Sequence, residues 1–454
     1  MVLSPQPASF RPETAILALG DGFYDRVAPA RFPMHRLRFR NQRWAARVGL
    51  DTLDEAAWIA HFGRFAPLPG SLAAPLALRY HGHQFRVYNP EIGDGRGFLF
   101  AQLRDDRGRL LDLGTKGSGQ TPHSRFGDGR LTLKGGVREV LATEMLEALG
   151  VETSKSFSLI ETGEALERGD EPSPTRSAVL VRLSHGHIRI GSFQRCAYLG
   201  DADALRALTD YALRHFYGDG SGDPVALLDH VVSATARLAG QYMAAGFVHG
   251  VLNSDNINVS GESFDYGPWR FIDRWEPGFV AAYFDHAGLY AFGRQPEAIH
   301  WGVMQLAVSL RAIAEAAPMI EVLDRFGPRY QAAIADAFLW RLGVAPRGTG
   351  DAALVEAIER GLRAGATPVA DFFHASFGGN IPDALGEPFA EARILLRDYA
   401  PRLARRDAFW DEPPASMLID EVEAIWAAID RDDDWRPFEA KIAQLRRFGA
   451  ALAD

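Results

Sequence analysis

An asparagine and an aspartate nine residues apart, Asn256 and Asp265, stand out in "HGVLNSDNINVSGESFDYGP", His249 to Pro268. Magnesium takes oxygen ligands and keeps several waters, so one amide oxygen and one carboxylate suffice when substrate phosphates supply the rest. Asp255, directly before Asn256, offers a second carboxylate from the same loop, able to orient an attacking hydroxyl or to help hold a metal. Asp, Asn and Gly also favour turns on their own account, so neither "SDN" nor "DYG" alone demands chemistry. Their order after a long amphipathic stretch and a short "GFVHG" strand favours a metal–phosphate site, with "INVSGESF" as the strand-like link that would bring the two ligands together.

The same stretch follows the protein-kinase signature H-R-D-L-x-x-x-N and then D-F-G. His249 takes the place of the His, Asn256 that of the metal-binding Asn, and Asp265-Tyr266-Gly267 that of D-F-G. The position of the catalytic Asp is Val251, which cannot accept a proton; Asp255 is the candidate to replace it. Such a site needs a lysine on the phosphates, steadied by a glutamate. Lys116 ends the strand-like "LLDLGTK", and Glu139, Glu144 and Glu147 all lie on the following helix, where periodicity does not choose among them. "GDGRG" at 93–97 is a Gly-rich turn whose backbone can approach phosphates, with Arg96 adding charge; a second "GDGR" spans Gly127 to Arg130. Arg182 and Arg189 in "VLVRLSHGHIRIG" can clamp a triphosphate only if "SHGH" turns the chain between them. His185 and His187 lack a partner at metal-ligand spacing and read as packing or surface residues, while Asp285 and His286 suit a loop facing a protein substrate.

The elements that must carry these residues are legible to different degrees. Residues 1–90 read as irregular and rich in Pro and Arg, with helices near 41–65. "GFLFAQL" and "LLDLGTK" flank the turn-like "RDDRGR" and predict a β-hairpin; 134–150 has helical spacing and ends on Gly150; "FSLIETG" and "SAVLVRLS" read as two more strands. The second half is mainly helical, over 223–247, 296–317, 351–365, 384–398, 417–430 and 435–451. This order gives an α+β fold of the bilobal protein-kinase-like kind, a small lobe of antiparallel sheet plus helix and a large, mainly helical lobe. The expected division is an N-terminal extension over 1–80 packed on the core, a small nucleotide-binding lobe over 81–200, a catalytic large lobe over 201–310 and a helical C-terminal part over 311–454.

Composition narrows the rest. A net charge of −9 on 454 residues argues against nucleic acid or an anionic membrane as the main partner. Cys196 is the only cysteine, which excludes a disulfide within the chain and a Cys-based zinc site. No apolar run of about 18 residues suggests a membrane span, and the N-terminus lacks a basic start and apolar core, so a cytoplasmic protein is expected.

Taken together, "YHGHQF" 80–85, "GDGRG" 93–97, "LGTKGSGQTPHSRFGDGR" 113–130, "VREVLATEML" 137–146, "HIRIGSFQ" 187–194, "FVHGVLNSDNINVSGESFDYGP" 247–268 and "YAFGRQP" 290–296 resemble the selenoprotein O protein adenylyltransferases. Order and spacing agree from about 80 to 300, and "FYDRVAPARFP" 23–33 is similar to that family's N-terminal segment. The resemblance implies ATP bound in a flipped orientation, with AMP passing to a Ser, Thr or Tyr hydroxyl of a protein and diphosphate leaving. It implies Asp255 as proton acceptor, Asn256 and Asp265 as ligands of Mg²⁺ (or Mn²⁺), and Lys116–Glu139 as the ion pair. Gly93, Gly95, Arg96, Asp128, Gly129, Arg182 and Arg189 fall on its nucleotide contacts. This sequence departs from the family at His123, where an aromatic such as Tyr is usual, at Arg86, where Gly is expected, and in lacking a tail with Cys or selenocysteine. The residues alone leave two other readings open: ordinary γ-phosphoryl transfer, and a nucleotide-binding pseudokinase scaffold, which Val251 favours.

Overall fold

The computed structural model describes residues 8–169 and 171–453. Its sheet runs, antiparallel throughout, in the order Tyr24–Arg26, Leu76–Leu78, Leu99–Arg104, Leu110–Lys116, Thr175–Ser184, Lys155–Leu166 and Arg36–Arg40. The expected hairpin is present, with Leu103 opposite Leu111 and Arg104 opposite Leu110 across the turn. Its central strands are apolar on both sides because both faces of the sheet are covered. One face meets the helix Leu133–Ala148, through Val137, Val140 and Leu141 against Leu99, Leu159 and Leu180. The other meets the helices Gln42–Arg47 and Glu55–Phe62, where Trp58 stacks on Phe157 at 5.0 Å and its indole N–H donates to Ser158 Oγ at 2.9 Å.

Residues 8–90 are therefore not irregular. They supply six short strands besides the expected helices, four of which, Pro12–Glu13 among them, join the large sheet, and they roof one face of it. These strands are two to five residues long, too short for a period-2 pattern to register in sequence.

The small-lobe helix starts at Thr132, whose hydroxyl accepts the N–H of Gly135 at 3.1 Å, and Gly150 takes the left-handed φ of +74° just past its end. On its outer side lies the last helix, Arg436–Ala453. Arg446 grips Glu144 through two bonds of 2.7 and 3.0 Å, and Gly449 sits against Ala148.

The central helix of the large lobe, Pro224–Ala245, is capped by Asp223 and stopped by Gly246 at φ +65°. Phe247–Val248 follows, pairs with Arg270–Phe271 and opens the loop that carries the candidate chemistry. Between Asn256 and Asp265 the chain turns rather than forming the strand-like link: Gly261 has φ +74°, and the Asn258 amide donates to Gly186 O at 2.6 Å. The segment leans on the connection between the lobes instead of on itself. Two helices that the sequence pattern did not single out, Ala316–Leu323 and Phe326–Leu342, pack on the central helix; Gly240 lets the second approach so closely that a Cβ there would meet Ile334 N at 2.6 Å. Over 384–398 the regular helix is shorter than expected, Ala390–Leu396. Among the described residues no helix is long and apolar enough to cross a membrane.

Candidate active site

Lys116 is the last residue of its strand, and there the chain turns away through Gly117 at φ +83°. Its ammonium donates to Glu139 Oε2 at 2.6 Å and pairs with Asp265 Oδ1 at 2.9 Å. Arg182, on the neighbouring strand, bonds the same two carboxylates at 3.3 and 3.2 Å. Two cations and two carboxylates thus close a ring in which Glu139 is fully buried and Lys116 is 4% exposed. The structure also separates the three glutamates that periodicity could not: Glu144 is taken by Arg446, and Glu147 by Arg43 and the Trp44 indole.

The ring stands at one end of a cavity of about 670 Å³. Its wall includes Gly93, Gly95, Arg96, Lys116, Asp128, Gly129, Arg182, Arg189, Asp255 and Asp265. Close packing explains the glycines. A Cβ on Gly97 would lie 1.9 Å from the Thr115 carbonyl oxygen, and one on Gly93 would lie 2.6 Å from the His123 ring. The loop 121–127 is tied to this Gly-rich turn: Thr121 Oγ1 donates to Asp94 O and Ser124 Oγ to Gly95 O, each at 2.5 Å, and His123 Nε2 meets Asp25 at 3.0 Å. Asp128 faces the cavity while engaged by Arg168 at 2.9 Å.

"SHGH" does turn the chain, with Gly186 at φ +88°, so Arg189 reaches the same cavity as Arg182. Arg189 is 4% exposed, donates to Asp255 O at 3.0 Å and Asp94 Oδ1 at 3.2 Å, and lies 4.3 Å over the Tyr80 ring. His185 is half-buried, while His187 is buried, meets Asp112 at 3.3 Å and lines the cavity. Asp285 is buried and spends both carboxylate oxygens on the backbone N–H groups of Leu289 and Tyr290, organising its own loop. Arg86 adopts φ +65°, where a glycine would sit without strain, and pairs with Glu297 at 3.0 Å.

The two aspartates are held in opposite states. Burial would raise Asp265, but Lys116, Arg182, Arg96 and Arg189 around it win and keep its carboxyl well below the usual range. Its backbone has φ +61°, a left-handed conformation that Asp tolerates better than most residues. Asp255 has no such ring: burial pushes its carboxyl up to about 6 although Arg189 pulls the other way. One oxygen of Asp255 and the Nε atoms of Arg182 and Arg189 are buried with no hydrogen-bond partner among the described residues, all at this cavity.

Those orphaned groups and the cations fit a bound polyanion. They also fit a hard metal ion. Asp265 is ionised, and the Asn256 amide donates through Nδ2 to Val251 O at 3.1 Å, which leaves its oxygen as the atom to offer. Among the described residues no three His, Cys, Asp or Glu side chains cluster as metal ligands, so an ion here would depend on oxygens from the substrate. Asn256 itself is half-buried in the Ser254–Asn256 turn and is not part of the cavity wall; Glu139 lies behind Lys116. Asp94 and Arg168 join the site without having been singled out. The first lay inside the quoted "GDGRG", and nothing in the sequence marked the second.

Residues 8–377 match the family described as protein adenylyltransferase SelO. A protein nucleotidyltransferase YdiU of Gloeobacter violaceus is 46% identical over 466 residues, covering 96% of this chain and 95% of that protein. Its counterpart in Synechococcus elongatus is 42% identical over 482 residues, covering 97% and 96%, and that of Pseudomonas putida 36% over 400, covering 86% and 79%. Among solved structures, a rhoptry antigen kinase domain of Toxoplasma gondii aligns with 58% of this chain and 83% of that one at 11% identity, with a TM-score of 0.29 too low to bear on the fold. From residue 8 through the whole of the site, the chain belongs to the protein adenylyltransferase SelO family.

Proposed function

We propose that this chain transfers AMP from ATP to a Ser, Thr or Tyr hydroxyl of a protein and releases diphosphate. The observation that carries the reading is the split between the two aspartates at one cavity: Asp265 ionised within a ring of cations, Asp255 buried with one oxygen unpartnered and raised to about 6. A triphosphate meets Lys116, Arg96, Arg182 and Arg189, whose charges are already gathered and need little reorganisation. Asn256 and Asp265 would hold Mg²⁺ or Mn²⁺, which supplies charge neutralisation at the phosphates when bound. Glu139 acts through Lys116 and Arg182, holding both heads at the cavity.

Asp255 takes the proton of the acceptor hydroxyl. The hydroxyl oxygen bonds to the α-phosphorus, the bond from that phosphorus to its bridging oxygen breaks, and diphosphate carries away the electron pair. A carboxyl raised to about 6 is mostly ionised at neutral pH yet basic enough to receive a proton, which suits a general base. The family name and the 40–46% identical nucleotidyltransferases support AMP as the transferred group. Val251 favours a scaffold that binds nucleotide without turnover; the place of Asp255 in the cavity wall and its one unpartnered oxygen speak for an active centre.

Purified chain is incubated with Mg²⁺, a mixture of candidate acceptor proteins and ATP labelled at either the α- or the γ-phosphate. Protein-bound α-label without γ-label, lost in Asp265→Ala, is the expected result. Bound γ-label means a conventional kinase. Nucleotide binding with neither label means a scaffold.

A further inference from the structure

A second cavity, of about 630 Å³, lies across the junction of the two lobes and shares no lining residue with the first. Its small-lobe wall brings Arg107 and Arg109 from the hairpin turn, Ser184 from the end of the adjacent strand and Lys155 from the start of the strand beyond it; its large-lobe wall brings Arg237 and Glu262. Cations outnumber carboxylates around it, against the overall negative charge of the chain.

Several of these groups are unspent. The Arg107 side chain makes no hydrogen bond or ion pair with a described residue. Ser184 is 2% exposed, and its hydroxyl has no partner. Glu262 accepts the N–H of His185 at 2.7 Å, and burial pushes its carboxyl up to about 7, so near neutrality it carries a proton much of the time and can donate rather than repel. A buried unpaired hydroxyl costs free energy unless a partner arrives, and a recess with basic walls selects an anionic one. A recess between lobes favours a small molecule over a macromolecular surface.

We infer that this interlobe cavity is a binding site for a small phosphate-bearing molecule, separate from the nucleotide site. Arg107 and Lys155 meet the phosphate from the small lobe, Ser184 donates at the floor, and Arg237, which pairs with Glu152 at 3.2 Å, closes from the large lobe. The segment between Ser184 and Arg189 joins the two cavities: His185 is tethered to Glu262 here, and Arg189 enters the nucleotide site. An occupant therefore touches the Ser184–His185 end of a connection whose other end, Arg189, enters the nucleotide site.

The test is calorimetric titration of the full chain, first saturated with Mg²⁺ and a non-hydrolysable ATP analogue so that the nucleotide site is filled. Inorganic phosphate and glycerol phosphate are the two probes. One additional molecule bound per chain, at least tenfold weaker in Arg107→Glu and weakened also in Ser184→Ala, is expected. Tighter binding of the ester identifies an organic phosphate as the ligand, and equal binding identifies free phosphate. Arg107 is exposed on its turn, so Arg107→Glu keeps its Tm and its affinity for the ATP analogue. No saturable binding of either probe, or binding that both variants leave unchanged, overturns the site. Neither readout depends on AMP transfer, so the two proposals fail separately.

Discussion

Replacing Asp255 by Asn separates what its carboxylate does for chemistry from what its burial costs the fold. The side chain is 7% exposed, one oxygen has no hydrogen-bond partner among the described residues, and burial pushes the carboxyl from 3.8 up to about 6. A carboxyl whose folded value lies above its unfolded one stabilises the fold below the unfolded value, and that contribution is lost as pH rises through the folded value. Between about pH 4 and pH 7 the loss reaches at most ~3 kcal/mol, at ~1.4 kcal/mol for each pH unit separating the two states. Asparagine keeps the shape and cannot ionise. In EDTA and without ATP, Asp255→Asn should therefore be about 1–3 kcal/mol more stable than the parent at about pH 8, with the difference vanishing near pH 4. A gain of that size raises Tm by several degrees, roughly 2–4 °C per kcal/mol for a unit of 150–250 residues. The same variant loses AMP transfer. Thermal melts of both proteins at the two pH values, with α-label transfer measured alongside, make the check. A variant less stable by the same margin at both pH values, or one that still transfers AMP, would refute the reasoning.

Glu139→Gln leaves Lys116 and Arg182 with Asp265 as their one carboxylate, and removing a partner from a buried ion pair costs about 3–5 kcal/mol. Chemical denaturation measures that loss, and a change below about 1 kcal/mol would mean the ring behaves like a surface pair. Gly97→Ala drives a methyl into the Thr115 carbonyl and must lift the Gly-rich turn off the strand end, so affinity for an ATP analogue falls at least about tenfold, ~1.4 kcal/mol, by titration. At limiting ATP, transfer climbs as pH rises through about 6, because Asp255 must lose its proton to accept another; a flat profile would remove it from that role.

The elements with strong periodicity were legible: the hairpin around "RDDRGR", the helix carrying Glu139 and the central helix of the large lobe. The strands of the first eighty residues were not. Arg36–Arg40 is "RLRFR", an edge strand whose arginines are taken up by Glu161, Asp433 and the carbonyls of Asp51 and Leu53, and its five residues look like any basic stretch. Phe326–Leu342 escaped because Gly327 and Pro328 at its start read as a break. Within the site, residue type pointed to Lys116, Asn256 and Asp265, whereas the choice of Glu139 needed the resemblance; in the structure it follows from two distant arginines, Arg43 and Arg446, which claim the other glutamates. Arg168 stayed hidden because its place at the cavity depends on a loop that carries no motif.

Glu139 owes its position to a helix whose outer side is held by Arg436–Ala453, through Arg446 on Glu144 and Gly449 on Ala148. That strut lies about three hundred residues downstream, and it is synthesised after every residue that faces the cavity. A ribosome-bound chain can thus have made its lysine, its arginines and both aspartates while the helix that aligns them lacks its brace. Domains fold as their chain emerges, and contacts this distant in sequence close last. Alignment of the lysine–glutamate pair is thus tied to a segment that is translated last among the elements bracing it.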